Sequence, residues 1–135
     1  MNELINAFRG KKICITGTTG YKGSWLTFLL DSRAAITKGL SLQPKANPSL
    51  YNERRRSVCH QSIIGDICDY DFLIQEIISF KTYFIFHLSA QPIVYDSYET
   101  PKLTFETNFN GTLNALEILK EFNGRYCLNR GHMHY

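Results

Sequence analysis

The sequence lacks the features that mark several common classes of protein. It contains no apolar run long enough to span a bilayer, and no apolar segment near its N-terminus of the kind that a secretory signal requires. Its formal net charge is only +3, and its one basic run, Arg54-Arg55-Arg56, is typical of a solvated helix end. We therefore expect neither a membrane nor a nucleic acid as a partner, and we expect a cytoplasmic location.

The sequence lacks paired cysteines, and this absence argues against two kinds of site. The chain has four cysteines, Cys14, Cys59, Cys68 and Cys127. None of them forms a Cys-x-x-Cys pair, so neither a zinc site nor a redox motif is indicated, and reduced thiols are expected. His132 and His134 lie in a terminal segment poor in apolar residues. We predict no metal site.

Apolar strands alternate with amphipathic helices along most of the chain. Strands are predicted over residues 12–15, 36–42, 58–64 and 83–88, and helices over 21–30, 69–80 and 102–121. This alternation predicts an α/β protein with a doubly wound parallel sheet. The pattern is lost after the last helix. We therefore expect one domain over residues 1–122, truncated after the fourth strand and its following helix, and an irregular tail over 123–135.

The most informative stretch lies between the first strand and the first helix. Residues 16–23 read Thr-Gly-Thr-Thr-Gly-Tyr-Lys-Gly, which puts three glycines at Gly-x-x-Gly-x-x-Gly spacing. Gly17 suits the turn out of the strand, Gly20 lets a pyrophosphate approach the main chain, and Gly23 lets the helix pack closely. The helix N-terminus offers free N–H groups and a partial positive charge to phosphate. The pattern predicts a dinucleotide site, with an ordinary glycine-rich loop as the alternative.

The sequence does not decide between NAD and NADP. In dinucleotide-binding folds an acidic residue about 20 positions after the loop usually binds the ribose 2′-hydroxyl of NAD. Residues 32–52 contain no Asp or Glu, whereas Lys38 and Lys45 lie within them. We expect NAD, and NADP stays an alternative because either lysine could meet a 2′-phosphate.

Four motifs, in order along the chain, resemble the extended short-chain dehydrogenases. They are the glycine loop, Gly-Asp-Ile at 65–67, His-Leu-Ser-Ala-Gln-Pro at 87–92 and Thr-Asn-Phe-Asn-Gly-Thr at 107–112. Within that superfamily, residues 20–26, 41–50 and 90–92 are similar to the CDP-glucose 4,6-dehydratases. The resemblance implies an NAD-binding Rossmann fold, a nucleotide sugar (CDP-glucose) as the substrate of the full-length enzyme, and the homodimer that is common among its members.

The resemblance also implies cofactor-binding roles for the residues at matching positions. Asp66 would accept a hydrogen bond from the adenine amino group beside the Ile67 backbone, and Thr107 would contact the cofactor from the long helix. The other residues implied are Gly17, Thr19, Gly20, Tyr21, Lys22 and Gly23 in the loop, and Leu88, Ser89, Ala90 and Gln91 after the fourth strand.

Three positions near this site also have purely structural interpretations. Asp66 could cap the helix that begins near Asp69, and Asn108 could serve only to tie its helix to a neighbouring strand. His87 is expected to be a packed strand-end residue and not an acid or a base.

In the resembled dehydratases, hydride leaves C4 of the hexose, the C5 proton is removed, water leaves across C5 and C6, and the hydride returns to C6. A Tyr-x-x-x-Lys pair supplies the base. Tyr126-x-x-x-Arg130 is a near-match, but it follows the long helix too soon and lacks a helical pattern. We therefore expect no catalytic residue in this chain. It is interpreted as the N-terminal, cofactor-binding part of a dehydratase, with a non-catalytic dinucleotide-binding remnant or an epimerase fragment as alternatives.

Overall fold

A five-stranded parallel sheet forms the centre of the structure, a computed structural model that describes residues 3, 6–44, 61–91 and 94–121 and the backbone of 125–128. The strands are β1 (Lys12–Thr16), β2 (Ile36–Ser41), β3 (Gln61–Ile64), β4 (Phe84–His87) and β5 (Arg125–Leu128). Their spatial order is β3-β2-β1-β4-β5, and every neighbouring pair is parallel. The predicted doubly wound α/β sheet is confirmed.

Within the described residues, helices follow β1, β3 and β4, and the one over residues 94–99 was not predicted. The helices are α1 (Tyr21–Asp31), α2 (Tyr70–Ser79), α3 (Val94–Glu99), α4 (Pro101–Phe105), a π-helical segment (Glu106–Asn110) and α5 (Gly111–Glu121). The long helix predicted after Pro101 is therefore present, but a wider π turn interrupts it. Such turns occur frequently at functional sites. Each helix in the described ranges is too short or too polar to cross a lipid bilayer.

The two faces of the sheet bury separate sets of apolar side chains, because successive residues of a strand point to opposite sides. On β1, Ile13 and Ile15 pack with Leu30 of α1, whereas Cys14 packs on the other face with Ile77 of α2. All of these side chains are at most 4% exposed. Helices thus lie on both faces, and the loops at the carboxyl ends of the strands share one edge.

The fourth strand is not the edge of the sheet. β5 pairs with β4 in a parallel register from Phe84↔Arg125 to His87↔Leu128. The expectations that the sheet ends at the fourth strand and that residues 123–135 are wholly irregular are wrong for this segment. β5 is only 4 residues long, and its sequence has no alternation of apolar and polar residues that would predict a strand. Its pairing is a non-local interaction with the open edge of an apolar strand.

Candidate functional site

The loop between β1 and α1 requires glycine at its first position for two reasons. Gly17 has a φ of +79°, in the left-handed region that disfavours other residues. A Cβ on Gly17 would also lie 2.8 Å from the backbone of Leu88 and Ser89, which follow β4. The turn out of β1 is therefore also the place where the loops after β1 and β4 touch.

The other two loop glycines differ in their surroundings: Gly23 is closely packed, whereas the space at Gly20 is open. A Cβ on Gly23 would collide with the carbonyl oxygen of Gly17, so glycine is needed for the first turn of α1 to reach the loop. A Cβ on Gly20 would meet only the Gly17 oxygen, at 3.4 Å, and Gly20 is exposed. Gly20 directly precedes α1, whose first turn has no acidic side chain. This leaves an open cradle beside a helix N-terminus, which suits the phosphate of a nucleotide.

Short hydrogen bonds hold the loop in this shape. The Thr18 hydroxyl is buried and lies 2.9 Å from that of Ser41 at the end of β2, and the Ser24 hydroxyl donates to the Thr18 carbonyl. The predicted contacts Thr19, Tyr21 and Lys22 lie around the cradle, with Thr19 half-buried and the other two exposed.

The loop after β4 approaches the phosphate loop through Thr16. The Leu88 and Ser89 amides donate to the Thr16 hydroxyl at 3.2 and 3.3 Å. At the far end of the same loop, the Gln91 amide donates to the Asn108 side chain at 2.7 Å, and the Asn108 amide donates back to the Gln91 carbonyl. Asn108 therefore ties its helix to this loop, whereas the structural interpretation expected a tie to a neighbouring strand. Ala90, between the two ties, is exposed.

The loop after β3 presents Asp66 at the same edge of the sheet, beyond β2. Asp66 is exposed, and its side chain accepts a hydrogen bond from the Cys68 amide at 2.9 Å. The residue that caps α2 is Asp69, which accepts from the Phe72 amide, so the alternative role of Asp66 as a helix cap is wrong. Burial and the nearby Asp66 carboxylate raise the pKa of the Cys68 thiol to about 11, which keeps this thiol protonated and unreactive.

The helical segments after β4 form hydrogen bonds to the loop after β3 and to the loop after β4. Asn114 of α5 donates to the carbonyls of Ile67 and Cys68, each at 3.0 Å. Thr107 is half-buried in the π-helical segment next to Asn108. The structure thus brings the loops after β1 and β4 into contact and places the loop after β3 on the same helix. Thr16, Ser41 and Asn114 were missed from the sequence. Asn114 leaves a signal there, as a polar residue amid the apolar positions of a predicted helix.

Lys38 is not placed to contact the ribose 2′-phosphate that distinguishes NADP from NAD. It is 4% exposed in the middle of β2, opposite Cys14 of β1. Its ammonium group is paired with the Glu76 carboxylate, donates to the Glu76 carbonyl and lies 5.4 Å from the centre of the Phe80 ring. The lysine is thus committed to α2, away from the loop edge. Lys45 lies outside the described residues.

One tyrosine–lysine pair with the spacing of the family's catalytic motif was overlooked in the sequence. Tyr98 and Lys102 are four positions apart, but Tyr98 lies in α3 and Lys102 in α4, because the helix breaks at Thr100. Tyr98 is 79% exposed, and Lys102 pairs with Glu106 at 3.8 Å. The two therefore do not form the helical pair that the motif implies.

The other near-match lies in a strand. Tyr126 is part of β5, opposite Ile85 of β4, and Arg130 lies outside the described residues. His132 and His134 also lie outside them. Among the described residues, no group of three or more His, Cys, Asp or Glu side chains could hold a metal ion.

A parallel sheet in the order 3-2-1-4-5, with a glycine cradle at the turn between its first strand and first helix, defines a Rossmann-type nucleotide-binding domain. The chain belongs to the GDP-mannose 4,6-dehydratase family, which matches residues 14–130. The resemblance inferred from the four motifs is confirmed.

The relatives share the sequence over most of the chain. It is 43% identical over 116 residues to a CDP-glucose 4,6-dehydratase from Salmonella typhimurium, a match that covers 86% of the chain and 32% of the relative. It is 34% identical to a GDP-mannose 4,6-dehydratase from Sordaria araneosa, with 86% and 21% covered. The chain therefore spans about a third or less of the length of these curated relatives.

Solved structures share the fold. An epimerase from Methanothermobacter thermautotrophicus is 23% identical with a TM-score of 0.79, and 93% of this chain and 37% of that one are covered. A UDP-glucose 4-epimerase from Stenotrophomonas maltophila, solved with bound NAD, is 17% identical with a TM-score of 0.77, and 93% and 40% are covered.

Proposed function

We propose that this chain is the NAD-binding part of a CDP-glucose 4,6-dehydratase. The observation that carries the proposal is the open side of Gly20, where a Cβ would meet nothing but the Gly17 oxygen at 3.4 Å beside the N-terminus of α1. A pyrophosphate can approach the main chain there and accept hydrogen bonds from the first turn of the helix. The identity of 43% to the Salmonella enzyme supports CDP-glucose as the substrate of the whole protein.

The proposed roles of the residues follow from their places around the cradle. The loop from Gly17 to Gly23 holds the pyrophosphate. The exposed Asp66 carboxylate accepts a hydrogen bond from the adenine amino group, and it also accepts the Cys68 amide, which fixes the turn. Residues 88–91 and Thr107 line the side of the cleft where the nicotinamide would lie. When bound, NAD would accept hydride from a carbon of the sugar and later return it.

NAD is proposed in preference to NADP because the described part of the chain presents no cation where a 2′-phosphate would lie. β2 ends in Ser41, which is buried and bonded to Thr18, and the Lys38 ammonium is held by Glu76. A reducing compartment such as the cytoplasm is part of the proposal, since the spacing of the four cysteines gives no Cys-x-x-Cys pair.

Assembly into a homodimer is also proposed. The segments after β4 expose apolar side chains along α3, α4, the π-helical segment and α5: Tyr95, Tyr98, Leu103, Phe105, Phe109, Leu113 and Leu116, each at least 42% exposed. Phe105 and Phe109 stack on each other with ring centres 5.2 Å apart. Exposed apolar side chains in this number favour burial against a partner.

Calorimetric titration of the chain with ADP-ribose and with NAD tests the cofactor assignment. Both ligands are expected to bind weakly and about equally, because the described contacts surround the adenosine diphosphate part. A much tighter affinity for NAD would show that the nicotinamide side is also complete, and no binding of either ligand would contradict the proposal.

A chimera tests the place of this chain in a dehydratase. Residues 14–121 would replace the matching segment of the Salmonella enzyme, and turnover of CDP-glucose would be measured. We expect turnover in the chimera and its loss when Gly20→Val is added. A folded chimera that binds ADP-ribose without turnover would favour the non-catalytic alternative. The 135-residue chain alone is expected to show no turnover, because neither Tyr98 nor Tyr126 is placed with a lysine as a base.

A further inference from the structure

His87 is held between two threonine hydroxyls that come from different parts of the fold. The imidazole is 2% exposed at the end of β4. Its Nδ1 lies 2.8 Å from the Thr16 hydroxyl at the end of β1, and its Nε2 lies 3.3 Å from the Thr112 hydroxyl in the first turn of α5. The side chain therefore links three elements whose loops line the nucleotide cleft.

The contacts of Thr16 decide which nitrogen of the ring carries no proton. Its hydroxyl oxygen already accepts the Ser89 amide, and it accepts the Leu88 amide together with the Thr16 carbonyl, which lies at the same distance of 3.2 Å. A hydroxyl has two lone pairs and one proton, so both lone pairs are used and the proton is left for the histidine. Thr16 must therefore donate to His87 Nδ1, which must be the bare nitrogen.

The contacts of Thr112 give the same answer from the other side. Its hydroxyl donates to the carbonyl of Asn108 at 2.7 Å, so towards the ring it can only accept. His87 Nε2 must therefore carry the proton. Both ends of the chain of hydrogen bonds require one form of the ring, the neutral tautomer protonated on Nε2. Burial, which lowers the pKa of His87 to about 4, keeps the ring neutral near neutral pH.

We propose that His87 is a positioning residue, which as the neutral Nε2–H tautomer orients the Thr16 hydroxyl to hold the loop after β4 against the phosphate loop. With Nδ1 as the acceptor, the lone pairs of Thr16 turn towards Leu88 and Ser89. At the Nε2 end, Thr112 joins the ring to Asn108, which binds Gln91 at the far end of the same loop. One imidazole thereby fixes both ends of this wall of the cleft.

This inference rests on the proposed function only in its consequence for binding. If the hydrogen bonds of Thr16, His87 and Thr112 set the distance between the phosphate loop and the loop after β4, their loss should weaken the binding of ADP-ribose. Residues 88–91 could then move away from Gly17. The protonation of the ring and the hydrogen bonds of Leu88 and Ser89 are properties of the chain without a ligand. The two parts can therefore be tested separately.

The first test is nitrogen NMR of the imidazole in the unliganded chain at neutral pH. We expect a protonated Nε2 and an unprotonated Nδ1 for His87. Protonation of Nδ1 would overturn the proposal, because the Thr16 hydroxyl would then have no acceptor on the ring. A chain that does not bind ADP-ribose would contradict the proposed function and leave this measurement intact.

The second test compares Thr16→Val and Thr16→Ser with Thr82→Val. Thr82 is a matched control, because it is also buried and donates one hydrogen bond, to the Ile77 carbonyl, but precedes β4 at the opposite edge of the sheet. In Thr16→Val we expect faster amide exchange at Ser89, whereas the Leu88 amide keeps the Thr16 carbonyl as an acceptor. We also expect about tenfold weaker ADP-ribose binding, since a hydrogen bond contributes about that factor. Thr16→Ser should retain both properties, and Thr82→Val should change neither. If Thr16→Val and Thr82→Val behaved alike in exchange, the hydroxyl would not hold the loop and the proposal would be wrong.

Discussion

Gly20 and Gly23 lie three residues apart, but a side chain at each position should have opposite consequences. At Gly20 the backbone φ is −78° and the space is open, so Gly20→Val should fold with a loss of at most about 1 kcal/mol in the free energy of unfolding. Its branched side chain would occupy the place of the pyrophosphate, so binding of ADP-ribose should be lost. Calorimetry and chemical denaturation of the same preparation measure both quantities.

Gly23→Ala is the counterpart to that variant. Its Cβ would collide with the carbonyl oxygen of Gly17, a backbone atom that cannot turn aside. We expect a loss of about 2–3 kcal/mol in the free energy of unfolding, as for other overpacked sites. Equal stability of Gly23→Ala and the wild type would mean that α1 does not approach the loop as closely as the structure shows.

His87 should make the stability of the chain depend on pH below neutrality. Burial lowers the pKa of the ring from 6.5 to about 4, and the groups that face its nitrogens from β1 and α5 are uncharged hydroxyls. Between these two pH values the unfolded chain binds a proton that the folded chain does not, so stability falls as the pH is lowered from 6.5 to 4. The loss attributable to His87 should reach about 3 kcal/mol.

The measurement is the free energy of unfolding across this pH range for the wild type and for His87→Gln. The variant should be less stable at pH 7, but its curve should be flatter by the contribution of His87. Parallel curves for the two proteins would contradict a buried neutral imidazole.

Among the elements, the strands and most helices could be predicted from the sequence because their signals are local. The apolar runs predict β1 and β4, and the glycines predict where helices begin. β5 could not be predicted, since four residues without alternation become a strand only through pairing with β4. The π turn before α5 was also missed. Its residues Thr107 and Asn108 fit an ordinary helical pattern, and the tie from Asn108 to Gln91 is a tertiary contact.

The position of Lys38 in β2 accounts for one of the two lysines that the sequence offered for a 2′-phosphate. The sequence allowed Lys38 to recognise NADP, but its ammonium group is paired with Glu76 of α2. We predict that Lys38→Met leaves the ratio of NADP to NAD affinity unchanged within about twofold, because a contact that does not exist contributes nothing to discrimination. Competition of the two dinucleotides against labelled ADP-ribose measures this ratio. A selective loss of NADP binding in the variant would show that Lys38 reaches the cofactor.

At the scale of the whole molecule, the apolar surface after β4 should make the chain associate. It includes the stacked pair Phe105 and Phe109, at 63% and 53% exposure. Light scattering should show a mass that rises with concentration, and Phe105→Glu should shift the mass towards that of the monomer. The control Ile78→Glu places the same charge at a residue that is 49% exposed on α2, and should have less effect. A monodisperse monomer at high concentration would refute the association.

If a dinucleotide binds where β1 turns into α1, an ADP-ribose titration of the isotope-labelled chain, followed by amide NMR, should show it directly. We expect the amide signals of Gly17, Gly20 and Gly23 to shift together with that of Ser89. Those of Gly10 and Thr82, which precede β1 and β4 at the opposite end of the strands, should stay in place. Binding that moves a different set of amides, or saturating ADP-ribose that leaves the three loop glycines unchanged, would contradict binding at this site.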